Sequence, residues 1–115
     1  MPATLHRWDV IALEKITELM SQKIVAGVHQ MLAQTYLKQG ALVPMHAHPS
    51  EQMTYVLQGA LKFRVEHEEM IVREGEVIHI PAGVPHQAEA LEDTFQLDVF
   101  SPPREDWLRA AETDG

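Results

Sequence analysis

The chain has 115 residues, no cysteine and a formal net charge of −8. This length fits a single domain, and the lack of cysteine excludes disulfides, thiolate metal sites and cysteine nucleophiles. An acidic chain without a cluster of basic residues repels phosphates, so nucleic acid is not an expected partner.

The sequence predicts no membrane partner, because no stretch of about 18 apolar residues is present. Charged residues interrupt the N-terminal segment, so it lacks the apolar stretch of a secretory signal. Together with the absence of cysteine, this predicts a cytoplasmic protein.

The N-terminal segment, residues 1–20, has apolar residues about three positions apart between Val10 and Leu19. This spacing indicates a short amphipathic helix, with an entry strand as the alternative. From residue 21 onwards the pattern changes to short β-branched or alternating runs, typical of strands. The predicted strands are residues 23–28, 31–37, 54–57, 61–65, 70–72, 77–80 and 95–100.

Glycine or proline lies in nearly every gap between these runs. Many short strands separated by turn residues predict an all-β sandwich or barrel. A short C-terminal helix is predicted over residues 103–111, with a proline near its first turn.

Three of the seven histidines lie in a pattern that suits a metal ion. His46 and His48 are separated by one residue, so on a strand both imidazoles face the same side. Gln52 follows after a bend and would point back towards them. His86 comes much later, and only a folded β-structure brings it to the others. The remaining histidines are interpreted as exposed or structural: His6, His29, His67 and His79.

Residues 40–59 (GALVPMHAHPSEQMTYVLQG) and 75–90 (GEVIHIPAGVPHQAEA) resemble the two signature motifs of the cupin superfamily. The resemblance implies one cupin domain over residues 1–115 with the fold of a double-stranded β-helix, a jelly-roll barrel. It also implies one divalent metal ion, with four ligands: His46, His48, Gln52 and His86.

Two positions depart from the superfamily pattern. Gln52 stands where the superfamily has a glutamate ligand, and Ala90 stands where it has asparagine. Glu51 is the weaker ligand candidate, because on an extended segment it points away from Gln52. Imidazole and oxygen donors suit Mn, Fe, Co, Ni, Cu or Zn, and the sequence does not choose among these divalent transition metals.

Residues 46–59 and residues 97–106 (LDVFSPPRED) resemble a cupin subgroup that includes the KdgF-like proteins of pectin and alginate breakdown. These proteins convert 4,5-unsaturated monouronates to the linear ketonised form. The resemblance therefore implies an isomerase-type enzyme whose substrate is a small anionic sugar or keto acid.

Two residues of the second segment are candidate catalytic groups. Asp98 lies in an alternating strand and, facing inward, would act as a general acid or base. Arg104 would pair with a substrate carboxylate through two hydrogen bonds. The alternatives are a surface or structural Asp98, and an Arg104 that pairs with Asp98 or Asp106.

Two other functions stay open: a metal-dependent cupin dioxygenase, and a non-enzymatic cupin that binds a sugar or effector. A sensor module is normally joined to a DNA-binding domain, for which 115 residues leave no room. Resemblance to small cupins also implies a homodimer that pairs through N-terminal strands, with Trp8 and the apolar residues of 10–19 at the contact.

Overall fold

The computed structural model describes residues 3–108, and within them ten β-strands form two antiparallel sheets. A 3-10 turn at Trp8–Val10 precedes the first strand. The strands are β1 (Glu14–Thr17), β2 (Met20–Ala26), β3 (Met31–Leu37), β4 (Leu42–His46), β5 (Glu51–Gln58), β6 (Ala60–Val65), β7 (Glu68–Arg73), β8 (Val77–Ile80), β9 (His86–Ala90) and β10 (Thr94–Ser101).

The two sheets face each other across one apolar core. The larger sheet has the order β1-β2-β3-β10-β5-β8, and the smaller has the order β4-β9-β6-β7. Leu37 and Val56 of the larger sheet belong to the same buried cluster as Leu61 and Phe63 of the smaller one. The all-β sandwich or barrel predicted from the short alternating runs is therefore confirmed, as is the jelly-roll fold that the cupin resemblance implies.

Strand alternation decides which side chains reach the interior, because successive residues of a strand point to opposite faces. Two neighbouring strands of the larger sheet point these residues inward: Thr94, Gln96, Asp98 and Phe100 of β10, and Gln52, Thr54 and Val56 of β5. The register pairs Asp98 with Thr54 and Phe100 with Gln52. Polar residues from neighbouring strands are thus brought together inside the barrel.

The helix predicted between Val10 and Leu19 is wrong, and the entry strand is what forms. β1 pairs antiparallel with β2, with Glu14 opposite Gln22. Leu13, Ile16 and Leu19 are 56%, 39% and 39% exposed, so their spacing does not mark a buried helical face. The predicted homodimer contact through this segment stays a prediction.

Several strand boundaries follow the sequence pattern closely. β3 and β8 span the predicted residues 31–37 and 77–80, whereas β4 and β9 had not been predicted as strands.

At the C-terminus a helical turn covers residues 105–108, where the Leu108 N–H donates to the Arg104 carbonyl at 3.2 Å. The remainder of the predicted helix, residues 109–111, lies outside the described residues. Within residues 3–108, none of the helices has the length and hydropathy that a membrane crossing requires.

Candidate metal centre

Three histidines meet at one end of the barrel. His46 is the last residue of β4 and lies opposite His86, the first residue of β9. His48 follows two residues after the end of β4. One ring nitrogen of each imidazole lies within 4.8 Å of the corresponding nitrogens of the other two. The sequence pattern therefore located a cluster of histidines that the fold assembles.

Each imidazole is held by a backbone carbonyl of a residue two positions away in the chain. The pairs are His46 Nδ1 with Pro44 O (2.8 Å), His48 Nδ1 with Ser50 O (2.9 Å) and His86 Nδ1 with Val84 O (2.9 Å). A carbonyl oxygen only accepts, so each Nδ1 carries the hydrogen and a neutral ring leaves Nε2 bare. Such outer hydrogen bonds fix the ring and the tautomer of a metal-binding histidine.

His48 and His86 are kept neutral by their surroundings. Burial is the largest cause that lowers the pKa of His86, to about 4, and nearby positive groups lower it further. Burial also lowers the pKa of His48, followed by the positive charge of Arg104. Near pH 7 both rings therefore offer lone pairs rather than protons.

His86 Nε2 fits a metal ion by a further criterion. Among the described residues, it is buried and has no hydrogen-bond partner. An orphaned buried acceptor is costly unless something occupies its lone pair. A divalent cation bound between the three Nε2 atoms would satisfy it, and the three-histidine group has the geometry to bind one.

Gln52 lies against the histidine cluster, at the second position of β5. Its Oε1 is 3.0 Å from His48 Nε2, and its Nε2 donates to Thr54 Oγ1 at 2.9 Å. Since Oε1 and the bare His48 Nε2 are both acceptors, they do not attract each other. Two ligands of one ion at roughly 2.1 Å and right angles are themselves about 3 Å apart, so the spacing suits a shared cation.

The second motif contributes a turn that closes over His48. The Gly83 N–H donates to the His48 carbonyl at 2.9 Å. Gly83 has a φ of 78°, in the left-handed region that glycine adopts without strain. The glycine of this motif therefore ties the loop before β9 to the loop after β4.

Glu51 is directed away from the cluster, as its position in the alternation predicted. Its Oε2 accepts from His79 Nε2 at 2.6 Å, and both side chains are exposed. Glu51 therefore forms a surface pair and does not compete with Gln52 for the metal position.

Asp98 faces the interior and is 1% exposed. Thr54 Oγ1 donates to its Oδ1 at 2.6 Å, and Thr35 Oγ1 donates to its Oδ2 at 2.8 Å. The Gln96 amide nitrogen lies 3.0 and 2.9 Å from the two oxygens. Burial raises the pKa of Asp98, while these donors oppose that shift. The predicted catalytic role of Asp98 stays a prediction.

Arg104 lies at the mouth of the barrel, in a cavity of about 710 Å³ that His46, His48 and Trp107 also line. Its side chain is 10% exposed, and its guanidinium carbon is 4.2 Å from the centroid of the Trp107 ring. Its Nη2 donates to Asp106 Oδ2 at 2.6 Å. The ion pair with Asp106, one of the alternatives from the sequence, is therefore present.

The sequence did not single out the polar residues behind the ligands. Thr35, Thr54 and Gln96 are buried and surround Asp98. Strand alternation is the signal that could have found them. Gln96 is two residues from Asp98, and Thr54 is two residues from Gln52, so each pair lies on the same face of its strand. What alternation leaves unspecified is the register that brings β3, β5 and β10 side by side.

Comparison with known proteins identifies relatives in sequence and in fold. Residues 33–101 match the family model for the cupin domain. The solved structure of KdgF from Halomonas sp. superposes with a TM-score of 0.85 and 27% identity, covering 92% of this chain and 99% of that one.

Two curated relatives share shorter stretches of sequence. An uncharacterised protein of Methanocaldococcus jannaschii is 35% identical over 75 residues, which are 64% of this chain and 60% of that protein. Bovine 3-hydroxyanthranilate 3,4-dioxygenase is 34% identical over 58 residues, 47% of this chain and 20% of the dioxygenase. The chain thus spans less than two thirds of either relative.

Proposed function

The chain belongs to the cupin domain family, and on that premise we propose that it is a metal-dependent enzyme that ketonises 4,5-unsaturated monouronates. One observation carries the proposal: His46, His48 and Arg104 line a single cavity, and His86 completes the histidine cluster beside it. A metal position and a guanidinium together match a substrate that has both oxygen donors and a carboxylate.

His46, His48, His86 and Gln52 would hold the ion. A bound divalent ion supplies a Lewis acid that polarises a hydroxyl or carbonyl oxygen. The four residues contribute neutral donors, so they leave the charge of the ion uncancelled, which favours an anionic substrate. The carbonyls behind the imidazoles keep each Nε2 directed at the ion.

Arg104 would orient the substrate carboxylate. Stacking on Trp107 and pairing with Asp106 immobilise the guanidinium, so little side-chain entropy is lost when an anion binds. A formal net charge of −8 makes such a local cation necessary for an acidic sugar to approach.

The proposed reaction is balanced without a redox partner. Ring opening breaks the bond between C1 and the ring oxygen, a proton leaves the C1 hydroxyl, and a proton is added to C4 as C5 becomes a ketone. Asp98 is the predicted acid or base for this transfer. Thr54 lies between its carboxylate and Gln52, so a role for Asp98 in proton transfer requires a relay or a water.

A dioxygenase is the second candidate, favoured by the sequence identity with the bovine dioxygenase. The fold and the three histidines are compatible with it, but a reaction of this kind consumes oxygen. Oxygen uptake therefore separates the two candidates.

The proposal is tested by proton NMR with metal-loaded protein and freshly generated 4,5-unsaturated galacturonate. We expect the vinyl signal to decay much faster than in buffer. Chelation and the His86→Ala substitution should each return the decay to the buffer rate. His67→Ala, which removes an exposed histidine from the turn between β6 and β7, serves as the matched control and should retain activity.

Decay at the buffer rate with wild-type, metal-loaded protein would reject this substrate class. Oxygen uptake with a catecholic or enolic substrate would then support the dioxygenase. Equal activity of His86→Ala and the wild type would reject a role for the metal centre in the reaction.

A further inference from the structure

Gln52 poses an orientation problem that a glutamate ligand does not have. The two oxygens of a carboxylate are equivalent, so either one serves as a ligand. An amide has one acceptor end and one donor end, and only the oxygen can bind a cation. With glutamine at this position, the barrel must hold the amide with its oxygen towards the histidines.

Thr54 determines which end of the amide faces the metal position. Its hydroxyl has a single hydrogen, which is directed at Asp98 Oδ1 over 2.6 Å. The hydroxyl oxygen is then free to accept, and it accepts from Gln52 Nε2 at 2.9 Å. The Gln52 NH2 group is therefore turned towards Thr54, and its Oε1 towards His48.

Asp98 in turn determines the direction of the Thr54 hydroxyl. The hydroxyls of Thr35 and Thr54 and the amide of Gln96 all donate to its two oxygens. Because a carboxylate at position 98 only accepts hydrogen bonds, the Thr54 hydroxyl must donate its hydrogen to Asp98. A side chain at position 98 that can itself donate would free this hydrogen. The Thr54 hydroxyl could then donate to Gln52 Oε1, which would turn the NH2 group of Gln52 towards the ion.

We propose that Asp98 is a positioning residue that acts through the Thr54 hydroxyl to keep the Gln52 oxygen directed at the metal ion. This inference rests on the proposed metal centre but not on the proposed substrate. It also explains why a carboxylate is buried two hydrogen bonds from a metal centre whose own ligands are neutral. The superfamily has a carboxylate at the ligand position itself, in its glutamate. In this chain the carboxylate belongs to Asp98, which lies further inside the barrel, behind the Thr54 hydroxyl.

The burial of Asp98 favours this role over direct contact with substrate. Its side chain is 1% exposed, and it does not line the cavity that contains His46, His48 and Arg104. Both carboxylate oxygens are already engaged by two donors each. A substrate in the cavity therefore meets His46 and His48 before it could reach Asp98.

The test is the affinity for Co²⁺, measured by calorimetry and by the visible spectrum of the bound ion. Asp98→Asn and Thr54→Val should each weaken Co²⁺ binding by about 10–100-fold, as loss of an outer hydrogen bond to a ligand does. Thr35→Val is the matched control. It removes a hydroxyl donor from the other oxygen of Asp98 without contacting Gln52, and should change the affinity by less than about threefold.

The decisive comparison repeats both substitutions in a Gln52→Glu background. The two oxygens of a carboxylate are equivalent ligands, so the side chain of Glu at position 52 needs no particular orientation. In the Gln52→Glu background, Asp98→Asn and Thr54→Val should therefore leave the Co²⁺ affinity unchanged or improve it. An equal loss of affinity in the wild-type and Gln52→Glu backgrounds would overturn the proposal, because a general packing defect affects both. Thermal unfolding of the metal-free variants identifies any that fail to fold, and the second substitution then carries the test.

Activity separates this inference from the proposed function. Wild-type protein that binds Co²⁺, shows the background-dependent losses and does not turn over the uronate would retain the inference and reject the substrate. Asp98→Asn that keeps full Co²⁺ affinity but loses turnover would overturn the inference and assign Asp98 to proton transfer. Wild-type protein that binds no Co²⁺ would reject both the metal centre and the inference.

Discussion

The two ends of the barrel interior are built from the same strands but serve opposite purposes. Along β5 the successive inward residues are Gln52, Thr54 and Val56, which run from the metal position to the apolar core. The apolar end is filled by Leu61 and Phe63, both 2% exposed or less. The comparison shows that the strands fix which positions face inward, whereas the residue at each position decides between packing and chemistry.

The polar end is destabilising in the metal-free protein. Among residues 3–108, buried polar atoms without a hydrogen-bond partner include His86 Nε2 at this end and, further along the larger sheet, Gln96 Oε1 and both amide atoms of Gln22. Each such group costs about 1–3 kcal/mol when nothing satisfies it. The apolar end must offset this cost, so the free energy of unfolding should depend mainly on the apolar end and metal affinity mainly on the polar end.

Leu61→Ala should have the largest effect on the free energy of unfolding. Leu61 is fully buried, so its truncation leaves a cavity and should lower the free energy of unfolding by about 2–5 kcal/mol. Urea denaturation measures the loss, and calorimetry should find the metal affinity of the folded variant unchanged. A parallel loss of affinity would show that the two ends are not independent.

The sequence predicted the strands and the histidine cluster better than their surroundings. Alternation of apolar and polar residues over 61–65 and 95–100 shows which residues face the interior, because a half-buried strand buries every second residue. The spacing of about three residues between Val10 and Leu19 misleads, because these apolar residues lie on exposed surface rather than on a buried helical face. A periodic pattern is a property of one segment of the chain, whereas the exposure of a side chain depends on which other segments the fold packs against it.

Metal loading should have the next largest effect. Free metal at about 100 times its dissociation constant raises the free energy of unfolding by about 2.7 kcal/mol, because the ion binds the folded state. His86→Ala should remove most of this gain, whereas His67→Ala, on an exposed turn, should keep it. Thermal unfolding with and without the ion measures both. An equal gain in His86→Ala would place the ion elsewhere.

The environment of Asp98 shows what a sequence cannot supply. Its inward direction follows from alternation, but its contact with Thr54 depends on the register of β5 against β10. That register is set by pairing between segments that are far apart in the chain, since Thr54 and Asp98 are separated by 44 residues. Motif spacing therefore finds the candidate ligands, and long-range pairing decides how they are held.

The smallest expected effect is a pH dependence that only the polar end produces. Burial lowers the pKa of His86 from 6.5 to about 4, so between these values the unfolded chain binds a proton that the folded protein does not. Stability contributed by neutral His86 is therefore present above pH 6.5 and is lost as the pH falls towards 4.

From about pH 6.5 to about pH 5.5, His86 alone should lower the free energy of unfolding of the metal-free protein by about 1 kcal/mol. Asp98 acts in the opposite sense, because burial raises its pKa and the folded state therefore keeps this proton to a higher pH than the unfolded chain does. Urea denaturation in chelator, compared between wild type and His86→Ala, cancels the contribution of Asp98. Equal pH slopes in the two proteins would mean that His86 is not held neutral in the folded protein and contributes nothing to the response of the polar end to acid.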